Sequence, residues 1–496
     1  MIEKRFQDLE TTDATPKAAA LIETFRAIGY DIETAIADLV DNSISAGASD
    51  VHINFYWDGS DTSLTIFDNG TGMSESGLKE AMRPGSKNPL ADRDKKDLGR
   101  FGLGLKTASF SQCRHLTVIS KKQDEQVCFW SWDLDYVAQS ESWQLIKMPP
   151  PEELIAILDQ KIQGTIVLWK YIDRVTKNYQ NDEISLKKFI GITEKVKNHL
   201  AMIFHRFIES KNLTIWFQDR KIDAWNPFLS EDFRVQNFPS SQYCNGEVNV
   251  KGYVLKHKSA FTSDEFRKAG GMRGWNDHQG FYIYRNNRML VSGSWLGLWA
   301  KEEHFKLARI AIDITSEIDS DWQIDIKKAI ARIPANLRDN IRSNAADVRA
   351  VAVTVYRTKT KPTASKNGLS VTPIWKEFTT SGSKKWGFRV NREHPIINET
   401  LRIAESNPKK AFKLLLRHLE ETVPVKSIFI KEAEDSYNQA LPFEEGKRDE
   451  LIVLMQDVYK TLLESGLNDH QAKTKLEFLE PFNYYPEEIK NIDKNE

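Results

Sequence analysis

The sequence predicts an α+β protein with more than one domain. Its 496 residues exceed the length that a single hydrophobic core usually organises. Hydrophobic residues make up 40% and charged residues 28%, which is typical of a globular chain with enough apolar material for large cores. Helical and strand-like patterns alternate along the first third of the chain, which favours helices layered on a sheet.

The predicted elements follow in order. Residues 17–29 and 31–46 carry apolar side chains at helical spacing. Strand-like runs, several of them alternating as half-buried antiparallel strands do, follow at residues 51–57, 63–67, 115–120, 126–132 and 165–171. We therefore expect an α/β sandwich domain over residues 1–180.

A change of pattern marks a second domain. Residues 184–210 predict a long helix, and strands and hairpins follow it. The clearest hairpin covers residues 281–290, where Asn286 and Asn287 tolerate the positive φ values of a tight turn. We place this helix and α/β domain at 181–350, a Lys-, Thr-, Ser-, Pro- and Gly-rich linker at 351–385, and a mainly helical, acidic region at 386–496.

Composition excludes several classes of protein. The formal net charge of −1 argues against a surface coated with basic residues for nucleic acid, but it is compatible with a local basic groove. The polar N-terminus and the lack of an apolar run of roughly 20 residues predict a cytoplasmic protein without a membrane span. Three cysteines without CxxC spacing indicate buried free thiols rather than disulfides or structural zinc.

The helix at residues 31–46 presents a carboxylate and a carboxamide together. Asp38 and Asn42 are four residues apart and therefore project from one helix face. Asn42 can give Mg²⁺ a neutral oxygen ligand, and Asp38 is suited to orient or deprotonate an attacking water molecule. Taken alone, such a pair is more often found on a plain solvated helix face.

A second signal is the segment SLTIFDNGTGM at residues 63–73. Asp68 follows an apolar strand, where its carboxylate can accept the exocyclic amino proton of adenine. Gly70 and Gly72 allow the backbone to approach a flat ring, and Met73 would pack against the base. An ordinary Asx turn is the alternative that this segment alone leaves open.

A third signal is the glycine-rich segment LGRFGLGLKTAS. Gly99, Gly102 and Gly104 precede a predicted helix, and the N–H groups at such a helix start can cradle phosphates, to which Lys106 adds a positive charge. Leu105 occupies the lysine position of a P-loop, so that motif is disfavoured. A plain tight turn is the alternative here.

Together and in this order, the three segments resemble the nucleotide-binding motifs of the GHKL superfamily of gyrase, heat-shock chaperone, histidine kinase and MutL proteins. QGTIVLW resembles a further Gly-Thr element of that family. The resemblance covers roughly residues 15–175 and implies a Bergerat-type ATPase fold that binds ATP and Mg²⁺. Residues 74–97 would form the lid over ATP.

The resemblance also implies a role for each position. Asn42 would coordinate Mg²⁺, and Asp68 would read adenine, helped through water by Thr165. The implied nucleotide-binding set is Asn42, Asp68, Gly70, Gly72, Met73, Gly99, Gly102, Leu103, Gly104, Lys106 and Thr165. Hydrolysing members that resemble gyrase, MutL and MORC have a catalytic Glu where this chain has Asp38. Because Asp is shorter by one methylene, slow hydrolysis to ADP and phosphate is expected unless the backbone compensates.

The second domain favours one branch of the family. YIYRNNRMLVSG resembles the transducer hairpin of gyrase- and MutL-like proteins, and WQIDIKKAIARIP resembles the segment that sends a lysine to the ATP γ-phosphate. Strand alternation favours Lys328 for that role and leaves Lys327 open. The chain looks most like bacterial MORC- and MutL-like ATPases, which the family relates to DNA transactions and phage defence.

Such a resemblance implies an ATP-gated clamp in which two protomers dock as a homodimer. DNA is one candidate partner, and defence-system proteins bound through the C-terminal region are another. A chaperone-like ATPase acting on a protein client and a nucleotide-sensing module with little hydrolysis remain open. The candidate DNA-contacting residues are Lys256, Lys258, Arg267, Lys268, Arg273, Lys359, Lys361, Lys366, Lys384 and Lys385.

Overall fold

The structure is a computed structural model, and its fold class is α+β, as predicted. It describes residues 12, 16–27, 29–85, 104–318, 321–324, 331–358, 374–379, 386–394, 397, 407–425, 427–428, 442–443, 448–479 and 481–492. The chain divides into two compact units, Met1–Val355 and Tyr356–Glu496.

A seven-stranded sheet forms the first layer of the first unit. Its strands are β1 (Asp50–Tyr56), β2 (Ser63–Asp68), β3 (His115–Lys121), β4 (Cys128–Asp133), β5 (Gly164–Lys170), β6 (Thr214–Phe217) and β7 (Arg220–Lys221). They lie in the order β4-β3-β5-β2-β1-β6-β7, with β1 and β6 parallel and the other neighbours antiparallel. This first sheet therefore contains all five strands that the sequence predicts.

Helices form the second layer of this part of the chain. They are α1 (Ala18–Ala27), α2 (Ile32–Ser45), α3 (Glu75–Met82), α4 (Gly104–Gln112), α5 (Leu134–Ser140), α6 (Glu152–Asp159), α7 (Asp173–Thr176), α8 (Glu183–Ile203) and α9 (His205–Glu209). The apolar stripe of α2 is buried, and α2 packs against α4 and α8. The predicted sandwich of helices on a sheet is thus present.

The end of α2 is fixed by a glycine turn. Gly47 has φ +72°, and the N–H of Ala48 donates to the carbonyl of Ser43 at 3.0 Å, as in a Schellman motif. The carbonyl of Ala46 accepts a hydrogen bond of 3.0 Å from the N–H of Thr71, in the turn after β2. Two sequence motifs are therefore joined directly by the backbone.

A second sheet follows in the same unit. Its strands are β8 (Gln236–Asn237), β9 (Ser241–Tyr243), β10 (Val248–Val254), β11 (Gly280–Arg285), β12 (Arg288–Ser294) and β13 (Ala308–Ile314). The helices of this part are α10 (Ser263–Ala269) and α11 (Arg338–Thr358). The strand order is β12-β11-β13-β10-β8, and β9 pairs with β10. Strand β12 packs against α8, which also packs against α2, so the hairpin of the second sheet lies close to the helical layer.

The β11–β12 hairpin has the predicted two-asparagine turn. Asn286 and Asn287 have φ values of 47° and 67°, and Arg285 pairs with Arg288 across the turn. Residues other than Gly, Asn and Asp adopt this left-handed backbone conformation at a cost of roughly 1–2 kcal/mol.

Replacing Asn287 by Ala is expected to lower the free energy of unfolding of the first unit by about 1 kcal/mol, because Ala lacks the local stabilisation that Asn has at positive φ. The matched Asn287→Gly variant relieves the steric cost and should be more stable than the Ala variant. Urea denaturation measures both midpoints. Equal midpoints for Ala and Gly would show that the turn is not under this constraint.

In the second unit, two strands and several helices are described. The elements are β14 (Trp375–Thr379), β15 (Trp386–Val390), α12 (Pro408–Thr422), α13 (Arg448–Glu464), α14 (Asp469–Glu477) and α15 (Pro486–Lys490). β14 and β15 form an antiparallel hairpin. The last three helices share a buried apolar cluster of Leu451, Met455, Leu476, Phe482, Tyr485, Ile489 and Ile492.

Two segments of the range predicted as a linker, 351–385, form secondary structure. α11 continues through Val351 to Thr358, because Ala352 and Val353 extend its buried apolar face. Strand β14 also lies inside this range and pairs with β15. In the described part of the chain, every helix is too short or too polar to cross a membrane.

Candidate functional site

A buried carboxylate marks the end of β2. Asp68 is 6% exposed, and its two oxygens accept hydrogen bonds of 2.9 Å from the hydroxyl of Ser43 on α2 and from the N–H of Gly70. Antiparallel pairing places Thr165 of β5 directly opposite Asp68. Residues from α2, β2 and β5 therefore meet at one point, as the sequence motifs require.

The surroundings of Asp68 perturb its acidity. Burial raises the pKa of this carboxyl above its usual value, and the hydrogen bonds from the Gly70 N–H and the Ser43 hydroxyl partly oppose that shift. Removal from water strengthens a hydrogen bond that the ionised carboxylate accepts. Such an acceptor in a sheltered corner is suited to a ligand that presents an N–H donor.

Two glycines beside Asp68 leave no room for side chains. Gly72 has φ +61°, and a Cβ there would lie 1.9 Å from the carbonyl oxygen of Lys121. Gly164 has φ +151°, and a Cβ there would lie 2.5 Å from the carbonyl oxygen of Asp68. The β2 turn, β3 and β5 are consequently in close backbone contact.

A pair of hydroxyls lines the same corner. Ser120 of β3 is fully buried, and its Oγ lies 2.9 Å from the Oγ1 of Thr165. The Ser120 hydroxyl also accepts a 2.9 Å hydrogen bond from the N–H of half-buried Met73. Sequence reasoning selected Thr165 and Met73 but missed Ser120, because the β3–β5 register that pairs Ser120 with Thr165 joins residues 45 positions apart.

Ser43 was also missed, although a signal for it was present. It follows Asn42 directly in the first motif and lies five residues after Asp38 on the same helix. Its hydroxyl is buried and forms the link between α2 and Asp68. A hydroxyl directly after the selected Asn42 could have been interpreted as part of the site.

The predicted base and metal ligand lie on α2, one turn apart. Asp38 is 3% exposed, and its Oδ2 accepts a 3.1 Å hydrogen bond from the hydroxyl of buried Tyr30. Asn42 is exposed, so its carboxamide is accessible to a ligand. Arg288 of β12 reaches the same helix, with its Nη2 4.0 Å from the Oδ1 of Asp38. Neither Tyr30 nor Arg288 was selected from the sequence.

The glycine-rich segment is described from Gly104 onward. A helix is present here as predicted, but Gly104 lies inside it, as the first described residue of α4, rather than before it. Lys106 is 2% exposed, and its ammonium donates a 2.9 Å hydrogen bond to the carbonyl of Ala81 at the end of α3. Other predicted site residues lie outside the described residues, namely Gly99, Gly102, Leu103, Lys327 and Lys328. The lid predicted at residues 74–97 is described only as far as residue 85, and its first part forms helix α3.

The chain is also similar in sequence to known proteins. Residues 30–165 match the family described as histidine kinase-, DNA gyrase B- and HSP90-like ATPase. The chain is 35% identical over 89 residues to ATPase morc-1 of Caenorhabditis elegans, a match that covers 18% of this chain and 10% of that protein. The chain therefore aligns with about a tenth of that relative's length. The family match identifies residues 30–165 as a GHKL-type ATPase domain, and part of the chain is similar to ATPase morc-1.

Proposed function

We propose that this protein hydrolyses ATP to ADP and phosphate in a Mg²⁺-dependent reaction, with Asp38 as the base. The observation that supports this most is the convergence of α2, β2 and β5 on Asp68, with Asp38 one helical turn before Asn42 on the same helix. Adenine recognition and water activation would thus both be organised by α2.

The adenine corner would bind through hydrogen bonds and close contact. Asp68 would accept the exocyclic amine, and Thr165 would contribute through water. Gly70 and Gly72 would lie beside the ring, with Met73 packed against it. Gly72 would keep the turn in this position, because a Cβ there would lie 1.9 Å from the Lys121 carbonyl oxygen and would push the turn away.

The phosphates would be bound at the start of α4. Gly99, Gly102, Leu103 and Gly104 would supply backbone N–H groups at the helix N-terminus, where the helix dipole favours anions. Lys106, whose ammonium donates to the Ala81 carbonyl, would add a positive charge. Lys328 or Lys327 would complete the site at the γ-phosphate.

Asn42 is the proposed protein ligand for Mg²⁺. Its exposed carboxamide oxygen suits a cation that takes few protein ligands and keeps phosphate oxygens and water in its remaining positions. Among the described residues, no group of three His, Cys, Asp or Glu side chains is placed to hold a metal. When bound, Mg²⁺ would offset the negative charge that develops on the phosphate oxygens.

Asp38 would take a proton from the attacking water. Its burial and its hydrogen bond to Tyr30 restrict the orientation of the carboxylate. Aspartate is shorter than the glutamate that resembling enzymes use, so we expect turnover to be slow.

Replacing Asp38 by Asn is expected to lower kcat about 10²-fold, since the amide cannot accept the proton. The affinity for a non-hydrolysable ATP analogue should stay within about threefold of the natural protein, because the substitution keeps the shape of the side chain. A phosphate-release assay and calorimetry measure the two quantities. Glu33→Gln, on the first turn of the same helix, is the matched control and should leave kcat unchanged.

Equal and negligible rates in the natural protein and Asp38→Asn, with intact analogue binding, would overturn the hydrolysis proposal. The protein would then be a nucleotide-sensing module.

We also propose that ATP binding drives formation of a homodimeric clamp that acts on DNA, within a defence or repair system. The similarity to a protein named ATPase morc-1 and the second-sheet hairpin support this proposal. Lys256, a candidate DNA-contacting residue, is only 5% exposed and its ammonium lies 2.7 Å from the carboxylate of Asp232, so it is not available to contact DNA. ATP-stimulated DNA retention that weakens with salt would support the clamp, whereas turnover stimulated by an unfolded protein client would favour the chaperone-like alternative.

A further inference from the structure

Arg288 connects the second sheet to helix α2, which carries Asp38. It is the first residue of β12, directly after the two-asparagine turn, and it is 2% exposed. Its Nε lies 3.3 and 3.2 Å from the two carboxylate oxygens of Asp41, which is 1% exposed on α2. These residues are 247 positions apart in the chain, so the ion pair joins two separate elements.

Two of the three guanidinium nitrogens of Arg288 donate hydrogen bonds, Nε to Asp41 and Nη1 to a backbone carbonyl, and Nη2 does not. Its Nη1 donates to the carbonyl of Met289 at 2.7 Å. Its Nη2 is buried and makes no hydrogen bond with any described residue. That nitrogen lies 4.0 Å from Oδ1 of Asp38, whose other oxygen accepts from Tyr30.

This arrangement favours a role beyond packing. A buried N–H group without an acceptor costs free energy. The acceptor 4.0 Å from Nη2 is the carboxylate of Asp38, which suggests that the two groups interact at some stage of the reaction. A shift of about 1 Å would bring Nη2 within hydrogen-bond distance of Asp38. Because Asp41 anchors the guanidinium, the position of β12 relative to α2 determines how close Nη2 comes to Asp38.

We propose that Arg288 is a positioning residue for Asp38, through which ATP hydrolysis depends on the placement of the second sheet. This inference rests on the proposed function. Arg288 would act through the proposed base, so we expect its effect on kcat and not on nucleotide affinity.

Steady-state ATPase kinetics on the full chain test this proposal. Arg288→Met should lower kcat about 10- to 100-fold, as expected for a displaced catalytic group, while KM and analogue affinity change by less than about threefold. Arg288→Lys should recover part of kcat, because an ammonium restores the charge but not the planar fork. Asp41→Asn should also lower kcat, and the Asp41→Asn/Arg288→Met double variant should fall no further than Arg288→Met alone.

A matched control is the second ion pair of this region. Arg206 of α9 pairs with Asp313 of β13 and stacks on Tyr284, with its guanidinium carbon 3.6 Å from the ring centre. Arg206→Met also removes an arginine that joins a helix to the second sheet, but at a place that does not include Asp38. Its kcat should equal that of the natural protein.

Unchanged kcat in Arg288→Met, or a raised KM at constant kcat, would overturn the proposal. If Arg288→Met does not fold, the double variant decides, because it removes both buried charges together and leaves neither unpaired; a natural-like kcat there would also refute the idea. If the natural protein does not hydrolyse ATP, both the proposed function and this inference are refuted. If it hydrolyses ATP with a kcat that does not change when Arg288 is replaced, only this inference is refuted.

Discussion

Replacing Asp68 by Asn is expected to weaken ATP binding by at least about 10²-fold. Both carboxylate oxygens already accept hydrogen bonds, from Gly70 and from Ser43. An amide has one oxygen, so its NH₂ group faces either the Gly70 N–H or the Ser43 hydroxyl. In either orientation the buried corner loses one acceptor oxygen and the negative charge of the carboxylate.

Calorimetry with ATP and Mg²⁺ measures this loss. Ser43→Ala is the matched control, because it removes one hydrogen bond from Asp68 but keeps the carboxylate, and we expect about a tenfold loss. Natural affinity in Asp68→Asn, with the fold intact by circular dichroism, would contradict the assignment of Asp68 to adenine.

The same group should make binding depend on pH. The acceptor form of Asp68 exists above its pKa and is lost as pH falls through that value. Because burial raises the pKa, affinity should begin to fall at a higher pH than an exposed aspartate would cause. The Ser43 hydroxyl lowers this pKa, so Ser43→Ala should move the fall to still higher pH.

Replacing Gly72 by Ala is expected to destabilise the first unit by about 3 kcal/mol and to abolish nucleotide binding. The new Cβ would lie 1.9 Å from the Lys121 carbonyl oxygen and 2.7 Å from its carbon. Backbone of β3 cannot withdraw without breaking its pairing with β5, so the turn after β2 must move. Asp68 precedes that turn and would lose its contact with Gly70.

Gly85→Ala is the control for backbone conformation. Gly85 has φ +70°, close to the +61° of Gly72, and a Cβ there would meet no described atom within 4 Å. It should therefore show the cost of positive φ alone, about 1 kcal/mol. Thermal and urea denaturation compare the two variants, and equal midpoints would show that close backbone contact at Gly72 is unimportant.

The sequence by itself determined the local parts of this protein. The pairing of Asp38 with Asn42 follows from helical periodicity, and the strand that ends in Asp68 follows from an apolar run before a polar turn. The hairpin around Asn286 and Asn287 follows from the backbone preference of asparagine. Each of these features depends on residues within a few positions of one another, which is why short-range patterns predict them.

Only the tertiary structure decided which distant residues meet. Ser120 joins Thr165 through strand register, and Arg288 joins Asp41 through the packing of the second sheet near α2. The continuation of α11 to Thr358 likewise depends on burial of its apolar face. Register and packing arise from the free energy of the whole fold, whereas periodicity reports a single element, so no local pattern could reveal that a hairpin arginine lies 4.0 Å from the proposed base.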